Sequence, residues 1–447
     1  MFRRNITRFS ALLAVGALAL GSACAPGETI EEPDDTDNGT QAPAEPPAVE
    51  EGQFAGETLN YLYFTDGPDE QATRDLIADF EAEYDVTVEL EILAYADLIS
   101  SLNARLSGGN APDVVRLTGL GEFAADLLPL EDYLGAEFAD EFLEGPMMAV
   151  RNNADQMIAV PSDLTMNGPL VNLEMFEEAG VELPPTDDPW TWDEMLAAAR
   201  EVQEATGSSY AFAMDKSGHR VATVLAQYGT ALLNDDGWAL DKEAAVRALQ
   251  PLIDMMADDT MPRDFWLGSG SRYEGANEIF LASDTPIYLS GSWQVGQFVE
   301  NATFDWGVAP NPCDVECGGF PGGKFMAALS ASDNPALAAE FVRFMNSTEN
   351  QEHFASVSGN LPTRVDLAEA GVSYPAEAQA AMDVFIADLN RTAEVGFVAN
   401  AQPAFGASGT ALTGQLDMVV AGQKDLATAM DDLQPEVEGI VEEMGSW

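Results

Sequence analysis

The sequence predicts an α/β fold, because strand patterns and amphipathic helix patterns alternate where its folded part begins. Strand patterns cover residues 58–64, 86–93 and 113–117, and a helix with one apolar face fills each interval between them. A strand–helix–strand–helix–strand order at this spacing is typical of a parallel sheet that is covered by its helices.

The composition limits the size and the partners of the protein. A chain of 447 residues is long enough for roughly two to three domains. It carries 76 acidic and 19 basic residues, for a formal net charge of −57. Such a surface repels nucleic acid and anionic lipid, so we expect no nucleic-acid partner. An anionic ligand would need a local basic pocket.

The N-terminus has the layout of an export signal. Residues 1–23 combine a basic start with an apolar run that is too short to span a bilayer. Small residues before Cys24 resemble the lipobox of bacterial lipoproteins, although its usual leucine is displaced by one position to Leu20. We therefore expect an extracytoplasmic protein that is anchored to the cell membrane by lipid on Cys24, with plain secretion as the alternative.

A disordered tether is predicted for residues 24–55, after the lipidated cysteine. This segment is rich in proline and carboxylates and has no basic residue. It cannot bury enough apolar surface to offset the entropy lost on ordering.

The spacing of Cys313 and Cys317 favours a small disulfide in an exported chain. Two thiolates alone make a poor metal site, and no histidine lies near them in the sequence. We therefore predict neither a metal nor a cofactor.

Trp293 occupies a position where α/β folds often bind ligands. A strand pattern over residues 286–289 leads to Gly291, whose missing Cβ would allow a tight turn, and Trp293 then begins a helix pattern. Open α/β sheets bind ligands at the carboxyl ends of their strands, so Trp293 is a candidate stacking platform. A role in the core is the alternative.

Catalytic motifs are scarce. The two histidines, His219 and His353, lie far apart, and the motifs of zinc hydrolases, α/β-hydrolases and phosphate-binding loops are missing from the sequence. We predict that the protein is not an enzyme. A secreted glycoside-active enzyme, which needs only two carboxylates, stays an alternative, but no pair stands out.

A sugar site is easier to build from these residues. Sugar rings have flat apolar faces edged with hydroxyl groups, which suit aromatic rings and polar groups respectively. Candidates of the first kind are Phe64, Trp293, Phe325 and Phe405, and candidates of the second kind are Asp66, Thr118, Asp163 and Asn167.

Several motifs, taken in their order along the chain, resemble the extracellular solute-binding proteins of carbohydrate ABC importers, a group that includes the maltose-binding proteins. They are LEMFEEAGVELPP, FLASDTPIYLSGSW, FDWGVAP, GGKF, NPALAAEFVRFMNS and LPTR, and the resemblance spans residues 56–447. It implies a periplasmic-binding-protein-like fold, in which two α/β lobes with parallel-rich sheets close around a ligand in a hinged cleft. It also implies a monomer that delivers a sugar to a membrane permease.

The resemblance also implies lobe limits and site residues. Residues 56–165 would form the first lobe and residues 166–322 the second. Residues 323–360 would return to the first lobe, and residues 361–447 would complete the second and add the C-terminal helices. Trp293 would be the main stacking residue, with Gly323 near the second crossing strand and Arg364 in the LPTR link.

Two points bear on the ligand. Residues 117–119, after the third strand, offer no aromatic residue, which favours a mono- or disaccharide over a long maltodextrin. The alternative ligand is a small solute such as a glycerol-phosphate ester, which would need a basic pocket. The candidate residues for such a basic pocket are Lys216, Arg220, Lys324 and Arg364. An exported scaffold or adhesion protein would bind no small molecule.

Overall fold

The computed structural model describes residues 49–50, 52–65, 68–152, 154–268 and 275–444. The predicted signal peptide, Cys24 and most of the tether lie outside these ranges, as does the predicted ligand-binding residue Asp66.

Strands and helices alternate through the described residues. The strands are β1 Thr58–Phe64, β2 Thr87–Leu93, β3 Val114–Leu117, β4 Val160–Asn172, β5 Phe212–Met214, β6 Leu233–Asn234, β7 Gly237–Trp238, β8 Ile287–Gly291, β9 Trp306–Val308 and β10 Pro321–Ala328. The helices are α1 Asp69–Tyr84, α2 Tyr95–Gly108, α3 Glu131–Leu134, α4 Glu144–Met147, α5 Leu173–Ala179, α6 Trp192–Thr206, α7 Gly218–Gln227, α8 Lys242–Ala257, α9 Arg263–Gly268, α10 Asn277–Leu281, α11 Val295–Asn301, α12 Pro335–Met345, α13 Thr348–Ser358, α14 Val365–Ala370, α15 Ala376–Leu389, α16 Glu394–Ala401, α17 Phe405–Val420 and α18 Leu426–Met444.

The main sheet has the strand order β2-β1-β3-β10-β4-β8-β5, and β9 also pairs with β4. β1 is parallel to β2 and β3, and β5 is parallel to β8, as the predicted strand–helix alternation requires. β4 and β10 run antiparallel to their neighbours. The sheet is therefore mixed, because these two strands do not belong to the βαβ succession.

β4 joins two lobes. Its first half, up to Met166, pairs with β10, and its second half, from Asn167, pairs with β8. The first lobe contains β1, β2, β3 and β10 around a core that includes Phe80 and Phe341, and the second lobe contains β5, β8 and β9. The prediction of a two-lobed α/β fold is confirmed.

Helix α6 shows how local sequence sets an element. Thr191 Oγ1 accepts a hydrogen bond from Glu194 N at 3.3 Å, and Glu194 Oε2 accepts one from Thr191 N at 2.9 Å. This capping box satisfies amides that would otherwise lack partners at the helix start. Trp192 then packs in the core, where its Nε1 donates to Gln227 Oε1 at 2.6 Å.

A disulfide joins Cys313 to Cys317 in a short loop of the second lobe. The loop is fixed to the start of α6, because Asp314 Oδ2 accepts a hydrogen bond from Trp192 N at 3.0 Å. The described residues contain no group of three or more His, Cys, Asp or Glu placed to hold a metal ion. Among the described helices, none combines the length and the apolar character that a bilayer crossing requires.

A candidate ligand-binding cleft

A cavity of about 420 Å³ lies between the two lobes. The first lobe contributes Tyr95, Thr118 and Phe325 to its wall, and the second lobe contributes His219 and Phe405. Small-molecule sites typically enclose ~300–1,000 Å³, so the cavity has the size of a ligand site.

The lining is aromatic and almost free of charge. Four described lining residues carry aromatic carbocyclic rings: Tyr95, Phe123, Phe325 and Phe405. Hydrogen-bonding side chains are supplied by Tyr95, Thr118, Glu122, Ser217, His219, Asn400, Gln402 and Thr410. None of the described lining residues is lysine or arginine. The cavity therefore suits a neutral ligand with many hydroxyl groups better than an anion.

Two helix ends of the second lobe form one side of the cavity. Ser217 caps α7, since its Oγ accepts a hydrogen bond from His219 N at 3.2 Å. At Gly218 the helix touches α17 so closely that a Cβ would lie 2.6 Å from Gly409 Cα. Glycine at this crossing lets both helix ends, with Ser217 and Phe405, reach the same cavity.

Stacked rings support the walls. The Phe405 ring stacks on Phe320 with centroids 5.2 Å apart, and it meets His219 edge to face at 4.8 Å. On the opposite wall, the Tyr95 and Thr118 hydroxyl groups are 3.0 Å apart in a hydrogen bond. Phe64 is buried behind Tyr95, with its ring centroid 5.0 Å from that of Tyr95. Phe64 thus supports the wall from behind.

His219 is held in its neutral form. Desolvation by the surrounding protein lowers the pKa of His219 to about 3, helped by the positive charge of Arg220 and opposed by a hydrogen bond with Asn400. The imidazole therefore offers one donor and one acceptor to its surroundings near neutral pH.

The lowered pKa of His219 predicts how the free energy of unfolding changes as the pH falls. An unfolded histidine titrates at about 6.5, so lowering the pH below that value protonates the unfolded state but not the native His219. The free energy of unfolding should therefore fall with pH by up to ~1.4 kcal/mol per pH unit from this residue alone. Urea unfolding between about pH 6 and pH 4 should show a shallower fall for His219→Gln than for the parent. Equal slopes in the parent and in His219→Gln would contradict the assignment.

A buried charge cluster lies in the first lobe beside the crossing strands. Arg116 of β3 is 2.6 Å from Asp69 and 3.0 Å from Asp163, and it also donates to Phe64 O at 2.9 Å. Lys324 Nζ of β10 is 3.3 Å from the other oxygen of Asp163. Asp163, which we predicted to bind ligand, therefore ties β4 to β3 and β10. It lines a space of about 20 Å³ together with Gly323 and Phe325.

Trp293 is 5% exposed and is not among the described residues that line the large cavity. The Arg220 guanidinium carbon lies 4.2 Å from its ring centre. Gly291 does not make the turn that we expected, because its φ of −178° is ordinary extended backbone. Glycine is required there because a Cβ would lie 1.9 Å from the Trp293 ring. The stacking role of Trp293 stays a prediction.

Arg364 lies away from the cavity lining. Its guanidinium binds Glu141 at 2.6 Å, Asp366 at 3.1 Å and the main-chain oxygen of Asn346 at 3.1 Å. These contacts hold the LPTR link against the first lobe, and we leave Arg364 out of the ligand site.

Sequence reasoning missed several lining residues. Tyr95 follows the carboxyl end of β2, and Ser217 and His219 follow that of β5. The strand-end rule that singled out Thr118 would also have found Tyr95, whereas no strand was predicted ahead of Ser217 and His219. Asn400 and Gln402 precede α17 and have no such signal.

Two α/β lobes joined by crossing strands, with a ligand-sized cleft between them, define a hinged binding protein. The profile of the family "Bacterial extracellular solute-binding protein" matches residues 75–384, and the chain belongs to this family.

Individual relatives are distant in sequence. The galactooligosaccharide-binding protein of Bacillus subtilis (strain 168) is 23% identical over 328 residues, which cover 69% of this chain and 74% of that protein. The GacH receptor of Streptomyces glaucescens, solved unliganded and with acarbose, superposes with a TM-score of 0.74 at 20% identity, covering 87% of this chain and 99% of that one. Maltose-bound MalE3 of T. maritima gives a TM-score of 0.72 at 19% identity, covering 86% and 100%. These structural likenesses show a shared fold.

Proposed function

We propose that the protein captures a neutral sugar in the cleft between its lobes and delivers it to the permease of an ABC importer. The observation that carries this proposal is the composition of the cavity wall, where the described lining residues combine aromatic rings with neutral hydrogen-bonding groups and include no lysine or arginine. Rings match the apolar faces of sugars, and the neutral groups match their hydroxyls. The names of the relatives, which include binders of galactooligosaccharide, acarbose and maltose, support the same class of ligand.

The cavity supports a ligand of one to a few sugar units. The aromatic ring that the sequence lacks after β3 comes instead from the start of α2, just after β2, since Tyr95 stands beside Thr118 and hydrogen-bonds to it. With Tyr95 on one wall and Phe405 on the other, each lobe offers a ring to the ligand. A disaccharide or a small oligosaccharide is therefore favoured along with a monosaccharide.

An anionic ligand is disfavoured by the pairing of the candidate cations. Each lies within 4 Å of a carboxylate: Lys216 at 2.7 Å from Asp417, Arg220 at 3.4 Å from Asp215, Lys324 at 3.3 Å from Asp163, and Arg364 at 2.6 Å from Glu141. None of the four is among the described lining residues of the cavity. A glycerol-phosphate ester would find no lysine or arginine among the described residues of the cavity wall.

Binding is also favoured over glycoside chemistry. Hydrolysis of a glycosidic bond uses two carboxylates that flank it. Among the described lining residues, Glu122 supplies the one carboxylate. Its Oε1 accepts a hydrogen bond from Asn103 at 2.7 Å, and its side chain is exposed. We therefore propose a binder without enzyme activity.

Membership of an extracellular solute-binding family supports a location outside the cytoplasm. We further propose that a lipid on Cys24 holds it at the cell membrane, that residues 24–55 act as its tether, and that it works as a monomer.

Thermal unfolding against a panel of sugars tests the proposal. The panel contains maltose, maltotriose, galactobiose, acarbose and tagatose, with glycerol 3-phosphate as the anionic competitor. A ligand at 100 times its Kd should stabilise the protein by about 2.7 kcal/mol, which raises the midpoint by a few degrees. Phe405→Leu should lose most of this shift, whereas Phe176→Leu, at a buried ring in the second-lobe core, should keep it. A shift with glycerol 3-phosphate and with no sugar would refute the proposal.

A further inference from the structure

The described wall of the cleft carries a single carboxylate and nothing that balances it. Glu122 lies in the 3₁₀ turn Gly121–Phe123 after β3, and it lines the cavity. The other described lining residues include no aspartate, no second glutamate, no lysine and no arginine. Burial lowers the pKa of the lining residue His219 to about 3, so that side chain is neutral near pH 7. The described wall therefore has a net negative charge.

An amide of the same lobe fixes the Glu122 carboxylate. Asn103 of α2 donates from Nδ2 to Glu122 Oε1 at 2.7 Å. The other oxygen, Oε2, receives no hydrogen bond from the described residues, and the side chain is exposed. A carboxylate oxygen accepts hydrogen bonds from hydroxyl and ammonium groups, and the bond from an ammonium group is the stronger one. Glu122 thus has an oxygen left for a polar group of a ligand in the cavity.

The charge of Glu122 is not compensated by a neighbouring cation of the described chain. Three cations adjoin lining residues in the sequence, and they are Lys216, Arg220 and Lys324. Each of them pairs with a carboxylate other than Glu122. Among the described residues, Glu122 itself forms no ion pair. Its charge therefore acts on whatever enters the cavity, attracting cations and repelling anions.

We propose that Glu122 sets the charge selectivity of the cleft, which accepts neutral and amino sugars and excludes acidic sugars, an inference that rests on the proposed function. A carboxylate on the sugar meets the charge of Glu122 with no lysine or arginine in the described wall to offset it. An ammonium group on the sugar forms a charge-assisted hydrogen bond with Glu122 instead. Hydroxyl groups lie between these two cases.

Calorimetric titration measures this selectivity with three forms of one sugar. The sugar is the member of the panel that shifts the parent most, and the forms differ at one primary carbon, which carries a hydroxyl, a carboxylate or an ammonium group. The parent should bind the ammonium form most tightly and the carboxylate form most weakly. In Glu122→Gln, the ratio of the Kd of the carboxylate form to that of the ammonium form should fall at least ~fivefold. This is the effect of two unit charges ~4 Å apart in a water-like medium.

Glu89→Gln is the matched control. Glu89 is an exposed carboxylate of β2 in the same lobe, and it is not among the described residues that line the cavity. Its replacement changes the net charge of the protein by the same amount as Glu122→Gln. The ratio of the two Kd values should nevertheless stay at the parental value.

Several outcomes would overturn the inference. Equal ratios in Glu122→Gln and Glu89→Gln would mean that the overall surface charge sets the selectivity. A carboxylate form that binds neither the parent nor Glu122→Gln would show that another group excludes it. In both cases the neutral form still binds the parent, so the proposed function stands. If the parent binds no sugar of the panel in any form, the proposed function fails first and this inference fails with it.

Discussion

Replacement of Arg116 by methionine should lower the free energy of unfolding by about 3–5 kcal/mol. Arg116 is 1% exposed and pairs with both Asp69 and Asp163, which are buried as well. Removing the cation leaves Asp69 in a low-dielectric interior without a compensating charge, and leaves Asp163 with Lys324 alone. Urea unfolding of the full chain, followed by tryptophan fluorescence, measures the loss.

Two further variants show whether the loss comes from charge burial. Arg105→Met removes a surface pair with Glu91, and such pairs contribute ~0–1 kcal/mol. Adding Asp69→Asn to Arg116→Met removes the uncompensated carboxylate while Asp163 keeps its pair with Lys324, and should recover much of the loss. If Arg116→Met costs no more than Arg105→Met, the cluster does not stabilise the fold in the way described.

Replacement of Gly121 by alanine should weaken sugar binding by about 5- to 150-fold, because it keeps the lobes apart. Gly121 follows β3 in the first lobe and faces Pro403 of the second lobe across the cleft. A Cβ there would lie 2.8 Å from Pro403 O and 3.2 Å from Pro403 Cα. Since the contact is with main chain, the lobes must move apart to admit the methyl group. Overpacking of this kind costs ~1–3 kcal/mol in the closed arrangement.

Gly119→Ala is the matched control for lobe closure. Gly119 lines the same cavity two residues earlier, and a Cβ added to it would have no other atom within 4 Å. Calorimetric titration should show near-parental affinity for Gly119→Ala and a clear loss for Gly121→Ala. Parental affinity in both variants would mean that the contact with Pro403 does not limit closure.

Local patterns account for what the sequence predicted well. The first three strands appear where their apolar patterns place them, and the Thr191–Glu194 capping box forms because its partners are three residues apart. The sheet order could not be predicted in the same way. β10 inserts between β3 and β4, and no local pattern encodes a pairing between strands so distant in the chain.

In the candidate site, too, the sequence predicted the positions that local structure sets and missed the contacts between distant residues. Thr118 and Phe405 reach the cavity wall because the end of β3 and the start of α17 position them, and Phe325 reaches it from within β10. The ion-pair partners of Asp163 and Arg364 could not be predicted in this way. Asp163 pairs with Arg116 and Arg364 pairs with Glu141, and in both pairs the two residues are remote in sequence. A charged residue in a loop or strand does not reveal its ion pair until the chain is folded. Sequence alone therefore assigned ligand roles to side chains that the structure pairs within the protein.

The position of β10 has a consequence for the order of folding. β3 and β4 do not pair directly, and β10 fills the gap between them only after the chain has passed through most of the second lobe. A chain that emerges from its N-terminus must therefore carry an incomplete first sheet while the second lobe is made. Contacts that close such long loops form slowly. We expect insertion of β10 to be the late, rate-limiting step, so the newly made protein should stay open to chaperones long after β1, β2 and β3 have been synthesised.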